Sequence, residues 1–240
     1  MLEYYTLLLL FPLVGAAING ILGKRFPAWV VSLVGCGTVF LSFCFSVAAF
    51  AGLLRMPSGE RGIVQELFTW IESGDFVARA AFLFDPLSAV MILVVTGVSF
   101  LIHVYSVEYM RGEPGYYRYF SYLNLFVFMM SLLILADNFL LMFIGWEGVG
   151  LCSYLLIGYY FETRVAGDAA KKAFIVNRIG DFGFLLAVFL VFVTFGTVDF
   201  LEVSRIAAAE FPGGEAGFGT LAAICLLLFL GATGKSAQIP

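Results

Sequence analysis

The chain has 240 residues, 62% hydrophobic and only 12% charged, with a mean hydropathy of +1.00. A soluble globular domain carries about 25% charge, so a water-soluble fold is excluded. A net charge of −4 and a pI near 5.0 leave no basic footprint for nucleic acid.

A transmembrane helix needs about 20 mostly apolar residues. Seven such runs follow one another: Leu2–Leu22, Trp29–Leu54, Pro86–Tyr105, Phe120–Ala136, Phe139–Phe161, Phe174–Phe195 and Phe218–Pro240. The runs are continuous, whereas a membrane β-barrel would alternate over about 10 residues. The expectation is an all-α polytopic membrane protein with about seven spans. The first run lacks a basic leader and a small-residue cleavage site, and reads as a retained helix. Between the second and third runs, Ile63–Ile71 and Phe76–Phe84 are apolar stretches around Glu72-Ser73-Gly74-Asp75. Turn residues between two such stretches predict a short external β-hairpin. The expected organisation is helices 1–2 over 1–55, the hairpin loop over 56–85, and the remaining helices over 86–240. The Asp137-Asn138 joint is short enough to force its flanking helices to be antiparallel neighbours.

Charges set the orientation. Connections near 23–28, 106–119 and 162–173 share one side and hold Lys24, Arg25, Arg111, Arg118, Arg164, Lys171 and Lys172. The opposite side holds only Arg55, Arg61, Arg79 and Arg205, among eleven acids. Lys and Arg favour the cytoplasmic side, which places the N-terminus outside. Cys36, Cys44, Cys152 and Cys225 all lie in apolar runs with no CxxC spacing, and the chain has one His. They read as packing residues, with no metal or Fe–S site expected.

Glu147, Arg178, Asp181 and Lys235 remain inside the spans, together with His103. A charge at membrane centre costs roughly 2.5–3.5 kcal/mol on insertion scales and reads as functional. Glu147 lies nine residues beyond Asn138, about 13 Å deep, between Gly145, Trp146, Gly148 and Gly150. It reads as a proton relay or as a permanently paired structural carboxylate. Arg178 and Asp181, at i and i+3, can pair locally, or Asp181 can bridge to another helix. Lys235 sits in Gly231-Ala232-Thr233-Gly234-Lys235-Ser236-Ala237-Gln238-Ile239-Pro240, a poor continuous helix that suggests a broken, cavity-lining one. A Lys–Glu pair there would be a two-state switch. His103, near the end of its span, reads equally as a packing residue or a proton carrier.

Several of these residues stand in longer motifs. They include Phe84-Asp85-Pro86-Leu87-Ser88, Leu101-Ile102-His103-Val104-Tyr105-Ser106 and Tyr122-Leu123-Asn124-Leu125-Phe126. The longest is Gly145-Trp146-Glu147-Gly148-Val149-Gly150-Leu151-Cys152-Ser153-Tyr154-Leu155-Leu156-Ile157-Gly158. Arg178-Ile179-Gly180-Asp181 and Gly234-Lys235-Ser236-Ala237-Gln238 follow. The whole chain resembles the N-terminal portion of the antiporter-like subunits of bacterial NADH:quinone oxidoreductase (respiratory complex I), counterparts of mitochondrial chain 5. The related multisubunit Na⁺/H⁺ antiporters share the Glu and the Lys. The resemblance implies that Glu147 and Lys235 carry proton translocation, that Asp181 modulates them, that electron transfer occurs in other subunits, and that this chain holds no cofactor. It implies residence in the bacterial inner membrane, in contact with the lipid bilayer and the other membrane subunits of the complex. Family members are more than twice as long, so the missing C-terminal half of the same subunit is an expected partner. The alternatives are a subunit of a cation/proton antiporter and a truncated structural element that transports nothing.

Overall fold

The computed structural model describes residues 3–74, 76–211 and 219–238. The expected turn residue Asp75, the loop acid Glu215 and the ends of the chain lie outside them. The protein is an all-α polytopic membrane protein with one small hairpin. Its elements run α1 (Glu3–Ile21), α2 (Ala28–Leu54), β1 (Ile63–Ser73), β2 (Phe76–Phe84), α3 (Pro86–Tyr109), α4 (Tyr116–Leu135), α5 (Phe139–Ile157), α6 (Arg164–Phe195), α7 (Phe200–Glu210) and α8 (Thr220–Ser236). Helices α2 to α6 are each long and apolar enough to cross a membrane. Helix α8 is apolar but shorter, about 25 Å at 1.5 Å per residue, and the apolar stretch of α1 runs from Thr6 to Ile21.

The helix starts follow local chemistry. Asp85 and Ser88 form a reciprocal capping box at α3, with Pro86 at the first helical position. The Asn138 side chain accepts from the Leu141 amide at 2.9 Å and starts α5. Gly196 ends α6 with φ +70°. Inside the bundle, short hydroxyl side chains tie helix to helix. Ser42 donates to the Leu8 carbonyl at 2.7 Å, and Ser121 to the Ala16 carbonyl at 2.8 Å. Such bonds let α2 and α4 approach α1 closely where apolar packing alone gives little net drive.

Helix α6 begins ten residues before the expected span, at Arg164, because the Thr163 hydroxyl caps it. The Arg164, Asp168 and Lys171 side chains therefore stand on a helix, paired at i, i+4 and i+3 spacing, rather than in a loop. Helix α7 was not evident from the hydropathy. Its Val203, Ile206 and Ala207 pack on Val191 and Phe195 of α6 and Ile224 of α8, while Glu202 pairs with Arg205 outside. Helix α8 is continuous through Gly231 and Gly234. It ends at Ser236, where Ala237 takes φ +51°. The break expected around the two glycines is therefore placed after Lys235.

The hairpin lies where the sequence puts it. Strand β1 carries two register shifts, between Glu66 and Phe68 and between Thr69 and Ile71, which fit its eleven residues to nine on β2. Strand β2 is buried from Ala80 to Phe84. It is fastened to the α4–α5 joint: the Asp137 amide donates to the Ala81 carbonyl at 3.1 Å, and Asn138 Nδ2 to the Arg79 carbonyl at 2.8 Å. The α6–α7 turn closes the same end, with the Phe139 amide donating to the Val198 carbonyl and the Phe200 amide to the Asp137 carbonyl. At the opposite end, Tyr159 Oη donates to the Pro114 carbonyl at 3.0 Å, and Gly23 abuts Tyr117. The two sets of connections thus collect at two ends, as the alternation of spans requires.

Asn138 both caps α5 and holds the hairpin. Asn138→Ala removes both bonds, a loss of about 1–3 kcal/mol. The expected outcome is a fall of several degrees in Tm of the detergent-solubilised protein. An unchanged Tm contradicts the joint's role.

Candidate functional site

The site is built by α5, α6 and α8. Gly180 of α6 makes the closest approach possible: a Cβ added there would lie 3.1 Å from the Gly231 carbonyl oxygen and 3.2 Å from Gly234 Cα. Glycines at these three positions bring α6 and α8 into backbone contact. That contact carries Lys235, one residue past Gly234, to the face of α6 that bears Asp181. Gly150 of α5 clears the space for the ammonium, since a Cβ there would meet Lys235 Nζ.

The expected charges assemble, but in other pairs than the sequence suggested. Arg178 Nη1 donates to Glu147 Oε1 at 2.7 Å and does not pair with Asp181 on its own helix. Asp181 bridges to other helices instead. It accepts from Trp146 Nε1 of α5 at 2.7 Å, and its Oδ1 lies 3.9 Å from Lys235 Nζ of α8. The i, i+3 spacing allows an Arg178–Asp181 pair, but α5 presents an indole N–H and a carboxylate side by side, and each captures one member. Lys235 and Glu147 form no direct ion pair, although they are close enough to interact electrostatically, and Glu147 also lies beside the Asp181 carboxyl.

Burial differs sharply across the group. Asp181 is 3% exposed. The Lys235 ammonium is buried, 5.6 Å from the centre of the Trp146 ring, and has no hydrogen-bond acceptor among the described residues. Arg178 is half exposed on the outer face of the bundle, over the Phe174 ring. The four formal charges sum to zero, which lowers the cost of holding them at membrane depth.

His103 stands apart, in the α1–α4 half. It is 1% exposed, and no hydrogen bond or ion pair links it to the four charges among the described residues. Its Nδ1 lies 2.7 Å from the Ser99 carbonyl, and its Nε2 3.2 Å from Asn124 Nδ2. The Asn124 Oδ1 accepts from Thr38 Oγ1 at 2.8 Å, so its Nδ2 faces the ring as a donor. Nε2 then accepts and Nδ1–H donates, which is a neutral imidazole with both nitrogens used. Among the described residues no group of three His, Cys, Asp or Glu side chains is placed to hold a metal ion.

Asp137, in the short joint, and Asp199, which precedes α7, lie in surroundings that spacing alone does not reveal. Arg79 of β2 pairs with Asp199 at 3.3 Å and with Glu66 of β1 at 3.5 Å. Asp137 is 7% exposed in the joint beneath the hairpin. Burial and the nearby Asp199 charge raise its pKa to about 6, against the pull of Arg79. Burial likewise moves Asp199 upward. The sequence signal was the hydrophobic context of a two-residue joint, which forces an acid under the hairpin.

Comparison with known proteins places the chain. Residues 70–120 match the model of the complex I chain 5 N-terminus, and residues 136–240 match the NADH:quinone oxidoreductase/Mrp antiporter membrane model. Together these segments take in more than half of the chain. The chain belongs to the complex I and Mrp antiporter-like membrane subunit family. It is 45% identical to NADH-quinone oxidoreductase subunit L of Escherichia coli over 98% of its length, covering 38% of that relative. It is 42% identical to NADH-ubiquinone oxidoreductase chain 5 of Marchantia polymorpha over 98%, covering 36% of it. The chain thus spans little more than a third of these relatives, their N-terminal part. Among solved structures, the Mrp complex from Dietzia sp. aligns with a TM-score of 0.80 at 24% identity, over 98% of this chain and 24% of that one. A membrane-bound sulfane sulfur reductase aligns at 0.78 and 20% identity, over 95% and 44%. At these identities the likeness concerns the fold. Glu147, Asp181 and Lys235 all fall inside the antiporter-model segment, and His103 inside the chain 5 segment.

The Asp137 environment gives a pH test. Between about pH 4 and 6 the folded chain keeps a proton that the unfolded chain releases, so stability falls as pH rises through that window. Asp137→Asn is expected to flatten the Tm profile there and to raise Tm at pH 7.5. A profile identical to that of the unmodified protein contradicts the burial.

Proposed function

We propose that this chain is the N-terminal portion of a proton-translocating membrane subunit of NADH:quinone oxidoreductase. Redox chemistry belongs to other subunits, and this one converts their energy into proton movement. The observation that carries the reading is the pairing of four charges at membrane depth, Glu147 with Arg178 and Asp181 with Lys235. Relatives at 40–45% identity that are named as complex I subunits support it.

The chemistry follows from Coulomb's law. Two unit charges 4 Å apart interact by about 4 kcal/mol at an effective dielectric of 20. Protonating Glu147 releases the Arg178 charge and makes the group net positive. That adds repulsion against the Lys235 ammonium, whose ion-pair partner among the described residues is Asp181. Lys235 then passes its proton onward, and transfer of the Glu147 proton to the neutral Lys235 amine restores both pairs. Moving one charge against 100 mV costs about 2.3 kcal/mol, within the scale of one broken pair. Trp146 is the fixed element, since its N–H keeps Asp181 in place while its ring faces the ammonium.

The end carrying Lys24, Arg111, Arg118 and Lys171 faces the cytoplasm of a bacterial inner membrane, with the N-terminus and hairpin outside. The rest of the subunit and neighbouring membrane subunits cover the half-exposed Arg178. A cation/proton antiporter subunit is the second reading, favoured by the match of residues 136–240 to a membrane segment shared with Mrp antiporters.

Glu147→Gln separates these readings. In membrane vesicles carrying the assembled complex, the variant is expected to keep NADH oxidation and lose most proton pumping. Full pumping by Glu147→Gln overturns the relay. Transport that requires Na⁺ and persists without NADH supports the antiporter reading instead.

A further inference from the structure

At the basic end, α4, α5 and α6 leave a cavity of about 480 Å³. Its polar walls are Arg118, Lys171, Tyr122, Tyr154 and Tyr159, and no acidic residue lines it. A second cavity of about 370 Å³ shares Arg118 and Tyr159 and adds Lys24 together with Glu162. We propose that the first cavity is a binding site for the phosphate of an anionic phospholipid.

The Arg118 guanidinium is held in place without being neutralised. Its central carbon lies 5.2 Å from the Tyr159 ring centre and 4.8 Å from that of Phe161, and one nitrogen donates to the Tyr159 carbonyl at 3.4 Å. No carboxylate lies within ion-pair distance of it among the described residues. Stacked rings orient the planar fork and leave its outer N–H groups for an oxyanion, a geometry suited to bidentate phosphate contact. Lys171 adds a second cation. Its acidic contact is Asp168 at 3.9 Å, and both side chains are mostly exposed, so that pair neutralises it weakly.

Depth selects the source of the phosphate. Arg118 stands in the first turn of α4 and Gly158 caps α5, so the cavity opens at headgroup level, where tyrosines concentrate. Below it, Leu151 shares the α5 face of Tyr154, Leu155 and Gly158 at helical spacing and is exposed. That strip gives an acyl chain an apolar path from the headgroup into the bilayer. A free phosphate would use the cations but not the strip. Basic pockets between helices on this side of a membrane are the setting in which phospholipid headgroups dock.

The test uses the chain purified from membranes in mild detergent with whatever subunits accompany it. Native mass spectrometry and lipid extraction count the retained phosphatidylglycerol, cardiolipin and phosphatidylethanolamine. Arg118→Gln with Lys171→Gln is expected to lower the retained anionic lipid, about fivefold for each lost cation, and to leave phosphatidylethanolamine unchanged. Arg118→Lys is expected to retain less than the unmodified protein but more than the double variant, since the charge stays and the two-pronged contact goes. Phosphatidylglycerol is expected to raise the Tm of the delipidated protein, and inorganic phosphate is not. Unchanged anionic lipid in the folded double variant overturns the site, as does stabilisation by inorganic phosphate without lipid. If the double variant fails to fold, Lys171→Gln alone decides: unchanged retention overturns the proposal, and a loss supports it.

Discussion

A charge inside a hydrocarbon layer must be neutralised by another charge within a few ångströms, and the rest of this structure is arranged around that constraint. Glu147 lies in the middle of an apolar helix, and Lys235 at the end of another. Neither helix can supply its own counter-ion. Helix α6 supplies both, Arg178 for Glu147 and Asp181 for Lys235, three residues apart on one helix. The pairs hold only if α6 lies against both neighbours. Gly180 facing Gly231 and Gly234 brings the backbones together on one side, and Gly150 leaves room for the ammonium on the other.

Pairing is uneven, and the unevenness is informative. Glu147 and Arg178 meet at hydrogen-bond distance near the bundle surface. Asp181 and Lys235 are buried and sit 3.9 Å apart, with the indole of Trp146 taking the hydrogen bond the ammonium does not make. A carboxylate shared between an indole and an ammonium holds the cation less firmly than a direct hydrogen bond does. The buried polar network in the α1–α4 half contrasts with this. There His103, Asn124 and Thr38 use their groups on one another, and the ring is neutral and locked. The His103, Asn124 and Thr38 group is held by hydrogen bonds, whereas the Lys235 ammonium makes none among the described residues.

Much of this was legible in the sequence. Continuous apolar runs located the helices, and the Gly-containing break between Ile71 and Phe76 located the hairpin. Sparse charges in an apolar chain marked Glu147, Arg178, Asp181 and Lys235, because each is costly unless used. The partners were not legible. Spacing along α6 permitted an Arg178–Asp181 pair, and only the side-by-side presentation of Trp146 and Glu147 on α5 decides otherwise. The end of α8 was also hidden. Two glycines read as a break, yet they are helical because they pack on Gly180, and helix-breaking tendency yields to contact. Helix α7 escaped notice because its apolar stripe is too short and too mixed to register as a span. The tether between Asp137, Asn138 and strand β2 is a backbone contact, and side-chain patterns carry little information about it.

The coupling of Glu147 and Arg178 as one proton-handling unit is tested most directly by a double-mutant cycle read as proton flux. Arg178→Gln, Glu147→Gln and the double variant are compared in vesicles with NADH as the driver. If the two side chains act as a pair, the double variant loses no more flux than the worse single variant. If the losses multiply, the two residues act independently, and the paired-charge account of this site is wrong.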